Sequence, residues 1–257
     1  MPLTQNPFLY WLLRGHIFIS LCAVCMSIET CLTLDAPLPP ISVMWLLFFS
    51  TLFSYNIYYV RTPEKMFYGL LSLIGALGAF VSWMMIPSSY HFMFFVIAAA
   101  SVLYILPVFL PFPKPDSFAL QKLVLLICIW ALSTFFLPLE KFMPTDRNLI
   151  LLSYRFVFLS LLCLLFFIRD EKKEILRSRA SVAYQILLGI QLLFSSYFCC
   201  QQQWVLGLSY GSITTLLFFI SRFSQKQKPG VFFYLGLVDG MMCLQFIFVS
   251  VSYFLFS

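Results

Sequence analysis

One charged stretch, residues 167–179, carries acids whose spacing suits phosphate chemistry. Asp170 and Glu174 are four positions apart, so a continuing helix would place both on one face with about 5 to 6 Å between their Cβ atoms. Two such carboxylates repel each other unless a cation lies between them, and Mg²⁺ is held by one or two carboxylates together with substrate phosphates. The spacing therefore makes Asp170 and Glu174 candidate metal ligands and candidate catalytic acids. The alternative is a solvated loop in which these acids form weak surface ion pairs with Lys173 and Arg177.

A second polar feature ends an apolar segment at Asn56, which is flanked by Tyr55, Tyr58 and Tyr59. Tyrosines of this kind are typical of a membrane interface, and an Asn inside a membrane commonly hydrogen-bonds a neighbouring helix. Asn56 and Asp170 both end even-numbered apolar segments, on the same predicted membrane face. A shared cavity there could hold both residues, which makes Asn56 a third candidate catalytic residue and metal ligand.

The elements that position these residues must be membrane helices. Of 257 residues, 61% are hydrophobic and 10% are charged, whereas about 25% of the residues in soluble domains are charged. Only helices and closed barrels satisfy the backbone inside a bilayer, and the long, non-alternating apolar segments favour helices. We therefore predict an all-α polytopic membrane protein with one transmembrane domain over residues 1–257. The chain has no P-loop, dinucleotide-binding or serine-hydrolase motif, so those enzyme classes have no support.

Nine apolar segments, separated mainly by Pro, Gly and charged residues, predict nine transmembrane helices. Their predicted bounds are 14–34, 41–60, 67–86, 90–110, 118–138, 149–168, 183–202, 204–222 and 231–256. The weakest break is residues 199–204, which contain neither charge nor Pro, so an eight-helix arrangement with this stretch buried is the alternative. Ahead of the first segment, residues 8–13 are expected to lie in the membrane interface.

The basic residues are distributed unequally between the two predicted membrane faces. With nine spans, all of the 16 lysines and arginines except Lys141, Arg147 and Arg155 fall on the amino-terminal side. Loops rich in basic residues stay in the cytoplasm, so we expect a cytoplasmic amino terminus, in a bacterial inner membrane. The net charge of +6 then indicates contact with anionic membrane lipid or an anionic substrate rather than nucleic acid.

This layout resembles the UbiA-type membrane prenyltransferase superfamily, in which nine helices carry polar motifs after the second and sixth spans. The resemblance covers nearly the whole chain. Residues 166–174, FFIRDEKKE, look like the family's second aspartate-rich motif, with Asp170 at its first acid and Glu174 where a second Asp is usual. Arg169 and Lys173, in the same basic stretch, are then expected to bind the substrate and stabilise its leaving group.

Two shorter segments look like further parts of the family's substrate site. Leu13-Arg-Gly-His16 is similar to the segment with its first-span Arg, and Leu103-Tyr-Ile-Leu-Pro107, followed by Lys114, is similar to its Tyr-and-Lys segment. The resemblance thus implies substrate binding by Arg14, Tyr104 and Lys114. In the family, Mg²⁺ ions link an isoprenoid diphosphate to the two motifs, and the prenyl group passes to an aromatic, quinone-precursor or other lipophilic acceptor.

The first motif departs from the family pattern because its two acids are replaced by Ile57 and Val60. Neither side chain can ligate a metal, so we expect a divergent or catalytically silent prenyltransferase. The alternatives are a small membrane transporter or permease subunit, and a non-enzymatic membrane partner on the same fold. Asp239 and Arg155, inside predicted spans, are expected to face protein or water rather than lipid. Glu29 is expected at the membrane interface.

Overall fold

A computed structural model of the protein describes residues 7–109, 118–140, 144–171, 173–227, 230 and 233–256. These residues form helices joined by short turns, and no strand occurs among them, which confirms the all-α prediction for the described part of the chain. In chain order, the helices are α1 (Pro7–Arg14), α2 (Ile17–Thr33), α3 (Ile41–Tyr58), α4 (Lys65–Met85), a 3₁₀ turn (Ser88–Tyr90), α5 (His91–Phe109), α6 (Phe118–Ala131, extended by a π-helical segment, Leu132–Phe136), α7 (Asp146–Asp170), α8 (Glu174–Cys200), α9 (Trp204–Gln227) and α10 (Asp239–Phe256, preceded by a π-helical segment, Tyr234–Val238).

Seven of the described helices are long and apolar enough to cross a membrane, namely α3, α4, α5 with its 3₁₀ turn, α7, α8, α9 and α10 with its π-helical segment. The chain is therefore an integral membrane protein. The helical segments Ile17–Thr33 and Leu120–Phe136 are apolar but shorter, so the count of nine spans stays a prediction, as does the cytoplasmic amino terminus. At the weakest predicted break, an exposed turn at Gln201 and Gln202 separates α8 from α9.

The chain divides into two compact units, of which unit 1 contains Met1–Cys31 and Asp35–Phe142, and unit 2 contains Leu32–Leu34 and Met143–Ser257. In unit 1, α3 and α4 approach closely where a Cβ on Gly75 would lie 2.7 Å from the backbone nitrogen of Phe53. Small residues permit such contacts between membrane helices. The Thr30 hydroxyl donates to the carbonyl oxygen of Thr134, in the π-helical segment, at 2.8 Å. This hydrogen bond fastens α2 to α6.

In unit 2, a buried polar cluster joins α7, α8, α9 and α10 around Tyr154. The Tyr154 ring stacks on Tyr210 with 3.8 Å between centroids. Its hydroxyl donates to Gln245 Oε1 at 3.0 Å and accepts from Gln191 Nε2 at 3.4 Å. Each of the four side chains is at most 1% exposed. Polar groups inside a membrane bundle pair with one another because lipid tails offer no hydrogen-bonding partner.

Candidate functional site

Asn56 lies near the carboxyl end of α3 and holds the turn between α1 and α2. Its Nδ2 donates to the carbonyl oxygens of Gly15 at 3.0 Å and of Leu52 at 2.8 Å, and its Oδ1 lies 3.3 Å from His16 Nδ1. The side chain is fully buried. Protein groups thus engage both donor hydrogens and the oxygen of the amide. Asn56 acts as a clamp between helices, as one of the two sequence interpretations expected.

His16 follows α1 in a left-handed conformation, with a φ of 58°, which is uncommon for a bulky residue. Its ring stacks on Tyr59 at 5.1 Å between centroids, with Tyr55 and Tyr68 at 5.6 and 6.0 Å. Because Asn56 Nδ2 donates to two carbonyls, Oδ1 is the acceptor and His16 Nδ1 carries the proton. Burial lowers the pKa of His16 to about 4, although the hydrogen bond to Asn56 raises this pKa by a smaller amount. The ring is therefore neutral near pH 7, with a lone pair on Nε2.

Arg14 ends α1 beside the same tyrosines. Its Nε donates to Tyr68 Oη at 3.2 Å, and its Nη2 lies 2.9 Å from Glu64 Oε1. Both members of the ion pair are partly exposed, and the pair ties α1 to the residue that precedes α4. The resemblance implies that Arg14 binds substrate, and this role stays a prediction. In this structure the Arg14 guanidinium is paired with the Glu64 carboxylate.

Lys122, near the start of α6, contacts two tyrosines from other helices. Its Nζ donates to Tyr58 Oη at 2.9 Å and lies 4.3 Å from the centroid of the Tyr58 ring and 4.8 Å from that of Tyr104. We call Lys122, Tyr58 and Tyr104 the Lys122 cage. Each such cation–π contact contributes about 0.5 to 1 kcal/mol at an exposed site. Within the described residues, no carboxylate forms an ion pair with Lys122.

The sequence prediction included Tyr104 but missed Lys122. Lys122 was interpreted only as one of the cytoplasmic charges, although a Lys inside an apolar helix is itself a signal for a specific partner. The sequence prediction also included Lys114, which lies outside the described residues. The cage is therefore built from one predicted residue, Tyr104, and two that the structure adds.

The acidic pair of unit 2 is arranged differently from the prediction. Helix α7 ends at Asp170, and Glu171 and Lys173 have extended backbones before α8 begins at Glu174. Glu171 Oε1 accepts from the Lys173 backbone N–H at 2.8 Å, which stabilises the break. Asp170 and Glu174 therefore do not share the face of one helix. This part of the prediction was wrong because no Pro or Gly marks the break in the sequence.

Asp170 instead pairs with its neighbour in the chain. Arg169 Nε lies 2.5 Å from Asp170 Oδ1, and Arg169 Nη2 donates to Oδ2 at 2.8 Å. The guanidinium also lies over the rings of Phe166 and Tyr234, 5.1 and 4.7 Å from their centroids. The predicted metal-binding carboxylate is thus compensated by a protein cation. Glu174 is exposed.

The predicted site residues are divided between the two units. Those in unit 1 are Arg14, Asn56 and Tyr104, and those in unit 2 are Arg169, Asp170, Lys173 and Glu174. Among the residues that the structure describes, no group of three or more His, Cys, Asp or Glu could hold a metal ion. Because Asn56 is bonded to three protein groups and Asp170 to Arg169, these residues do not fit a two-metal site.

Three charged residues inside helices, Arg155, Asp239 and Glu29, are buried within the protein. Arg155 and Asp239 are 3% and 2% exposed, which confirms that they avoid lipid. Glu29, which was expected at the membrane interface, is fully buried in α2. The next residue, Thr30, donates to the Thr134 carbonyl oxygen, and the depth of Glu29 in the membrane stays a prediction.

The chain matches no protein-family model, no curated protein and no solved structure. The resemblance to the UbiA-type superfamily rests on the layout and motifs of the sequence.

Proposed function

We propose that this protein is a UbiA-like membrane protein that binds an isoprenoid diphosphate, and that the Lys122 cage holds the diphosphate in place of paired metal ions. The observation that carries the proposal is the half-buried ammonium of Lys122 between two tyrosine rings, at the ends of α3, α5 and α6. The ligand class comes from the sequence resemblance. The cage supplies the positive charge that an anionic headgroup requires.

The hydrogen bonds of the cage leave donors for a phosphate group. An ammonium has three N–H donors, and one of those on Lys122 is directed to Tyr58 Oη. Because Tyr58 Oη accepts that bond, its own hydroxyl hydrogen can donate to a phosphate oxygen. Lysine binds phosphate as a point charge. The bilayer around the apolar helices α5 and α6 accommodates the isoprenoid chain.

Asn56 restricts the position of Tyr58, one of the three residues of the Lys122 cage. Tyr58 is two residues beyond Asn56, at the last residue of α3. By bonding Gly15 and His16, Asn56 fixes the end of the helix that presents Tyr58. A binding group is most effective when the residues behind it restrict its position, so we assign Asn56 a positioning role.

Prenyl transfer to a lipophilic acceptor is the reaction that the resemblance implies. In this protein, Lys122 and the Tyr58 hydroxyl would stabilise the charge that develops on the departing diphosphate. Metal ions contribute several kcal/mol to such transition states. We therefore expect prenyl transfer to be slower than in a metal-dependent prenyltransferase. In the extreme case, the protein binds the diphosphate and transfers no prenyl group.

A small transporter is the second candidate, and the buried polar cluster of unit 2 favours it. Gln191 is fully buried, and its Oε1 has no hydrogen-bonding partner within the described residues. Buried polar groups in membrane helices mark transport pathways as well as packing contacts. Proteoliposomes that contain a pH-sensitive dye would reveal proton-coupled transport. If the protein binds a diphosphate and transports no protons, the dye signal should be the same as in protein-free vesicles.

Binding of geranyl diphosphate to the purified protein in a non-ionic detergent tests the proposal. Lys122→Gln removes the charge of the cage and is expected to weaken binding about tenfold or more, whereas Lys122→Arg keeps the charge and should lose less. Lys65→Gln removes an exposed Lys at the start of α4 and is the matched control. It should bind as the wild type does. Equal binding by the wild type and Lys122→Gln would contradict the proposal.

A further inference from the structure

A second site, of different character, lies at the opposite ends of the unit 1 helices from Asn56. There, four prolines from three segments line a cavity of about 440 Å³, namely Pro37 and Pro40 before α3, Pro87 before α5 and Pro138 after α6. We call it the proline cavity. Small-molecule sites commonly enclose about 300 to 1,000 Å³, so the proline cavity has room for a small ligand.

The walls of the proline cavity are stiffened by the prolines that form them. The pyrrolidine ring of each proline fixes its own φ, and Pro138 and Tyr90 in the lining are buried. The Tyr90 backbone N–H donates to the Pro87 carbonyl at 3.0 Å, which closes the 3₁₀ turn before α5. Binding to a preformed wall requires little ordering of side chains or loops.

Glu140 gives the proline cavity its chemical preference, because it has the only charged side chain among the described residues that line it. One carboxylate beside apolar walls favours a cation with an apolar body. A divalent metal does not fit, since Ca²⁺ and Mg²⁺ take about six or more oxygen ligands. An ammonium on an alkyl chain matches both the charge and the walls.

We infer that the proline cavity binds an alkylammonium, with the nitrogen at the Glu140 carboxylate and the alkyl chain against the proline rings and Tyr90. The cavity lies at the ends of helices that are long enough to cross a membrane, so the ammonium has two possible sources. One is the headgroup of an aminophospholipid, and the other is a soluble amine. The inference is independent of the diphosphate proposal, which concerns the opposite helix ends.

The test uses hexylammonium, titrated calorimetrically into the purified protein in a non-ionic detergent, with 1-hexanol as the uncharged analogue. Glu140→Gln keeps the shape of the side chain and removes its charge. Ala36→Phe fills the cavity, which Ala36 lines, and leaves Glu140 in place. Asp35→Asn is the matched control, since it removes a neighbouring carboxylate and Asn tolerates the left-handed φ of 51° at this position.

We expect hexylammonium to bind the wild type and Asp35→Asn with affinities within about twofold, and Glu140→Gln and Ala36→Phe about tenfold more weakly. Native mass spectrometry with phosphatidylethanolamine and phosphatidylglycerol separates the two sources. If the wild type retains phosphatidylethanolamine in preference to phosphatidylglycerol and Glu140→Gln does not, the natural ligand is a lipid headgroup. If hexylammonium binds but phosphatidylethanolamine is not preferentially retained, the natural ligand is a soluble amine. Absent binding, equal affinity of the wild type and Glu140→Gln, or equal binding of 1-hexanol would overturn the inference.

Discussion

The Asn56 side-chain amide donates to the Gly15 carbonyl oxygen at 3.0 Å and so joins the end of α3 to the turn between α1 and α2. The next residue, His16, has a left-handed backbone, a conformation that costs on the order of 1 to 3 kcal/mol for a non-glycine residue. The contacts of His16 with Asn56 and Tyr59 offset this cost. A residue that the sequence marks as a candidate metal ligand thus holds a strained turn.

Asn56→Leu is expected to lower the thermal stability of the protein. The substitution leaves the Gly15 carbonyl without its donor, and an unsatisfied buried group costs about 1 to 3 kcal/mol. Thermal unfolding of the purified protein in detergent measures the effect. Ser54→Ala, on the same helix, should melt as the wild type does. An unchanged melting temperature for Asn56→Leu would show that the clamp contributes nothing to stability.

The stability of the protein is expected to fall as the pH decreases from about 7 toward 4. Burial lowers the pKa of His16 to about 4, whereas an unfolded His titrates near pH 6.5. Between these values the unfolded chain binds a proton that the folded protein does not, so folding loses about 1.4 kcal/mol for each pH unit in this window. Melting temperatures measured across the window test this.

Two variants isolate the contribution of His16 to that pH dependence. His16→Asn should remove most of the dependence between about pH 5 and 7, since Asn does not titrate and tolerates a positive φ. His91→Gln removes the other histidine and should keep the wild-type profile. A His16→Asn protein with the wild-type pH profile would contradict a buried, neutral His16.

Asp170→Asn distinguishes an ion pair from a metal ligand. The Asp170 side chain is 64% exposed, so losing its pair with Arg169 should change the free energy of unfolding by about 1 kcal/mol or less. Binding of geranyl diphosphate should not weaken, with or without Mg²⁺, and Glu174→Gln should behave in the same way. A loss of affinity of about tenfold or more in Mg²⁺ would instead establish a metal role for the acid.

Single introduced cysteines test the orientation expected from the basic residues. In a variant without the native cysteines, Pro63→Cys should stay unlabelled by an impermeant thiol reagent in intact cells, and Ser88→Cys should react. Both positions are exposed. The reverse pattern would place the amino terminus outside the cytoplasm.

The helices could be predicted from the sequence because length and hydropathy decide whether a segment spans a membrane. The predicted segment 67–86, for example, corresponds to α4, Lys65–Met85. The break after Asp170 was missed because a local side-chain bond from Glu171 makes it. The burial of Glu29 and the contacts of Lys122 depend on which helix packs beside each residue. The periodicity of one sequence does not contain that information.

Equilibrium binding of geranyl diphosphate to the wild-type protein, in Mg²⁺ and in EDTA, tests most directly whether the Lys122 cage holds the diphosphate. Because the cage supplies the charge, we expect the two dissociation constants to agree within about twofold. Added salt should weaken binding in both conditions, since Lys122 is partly exposed. A dissociation constant about tenfold or more higher in EDTA would show that metal ions hold the diphosphate, and would contradict binding by the cage.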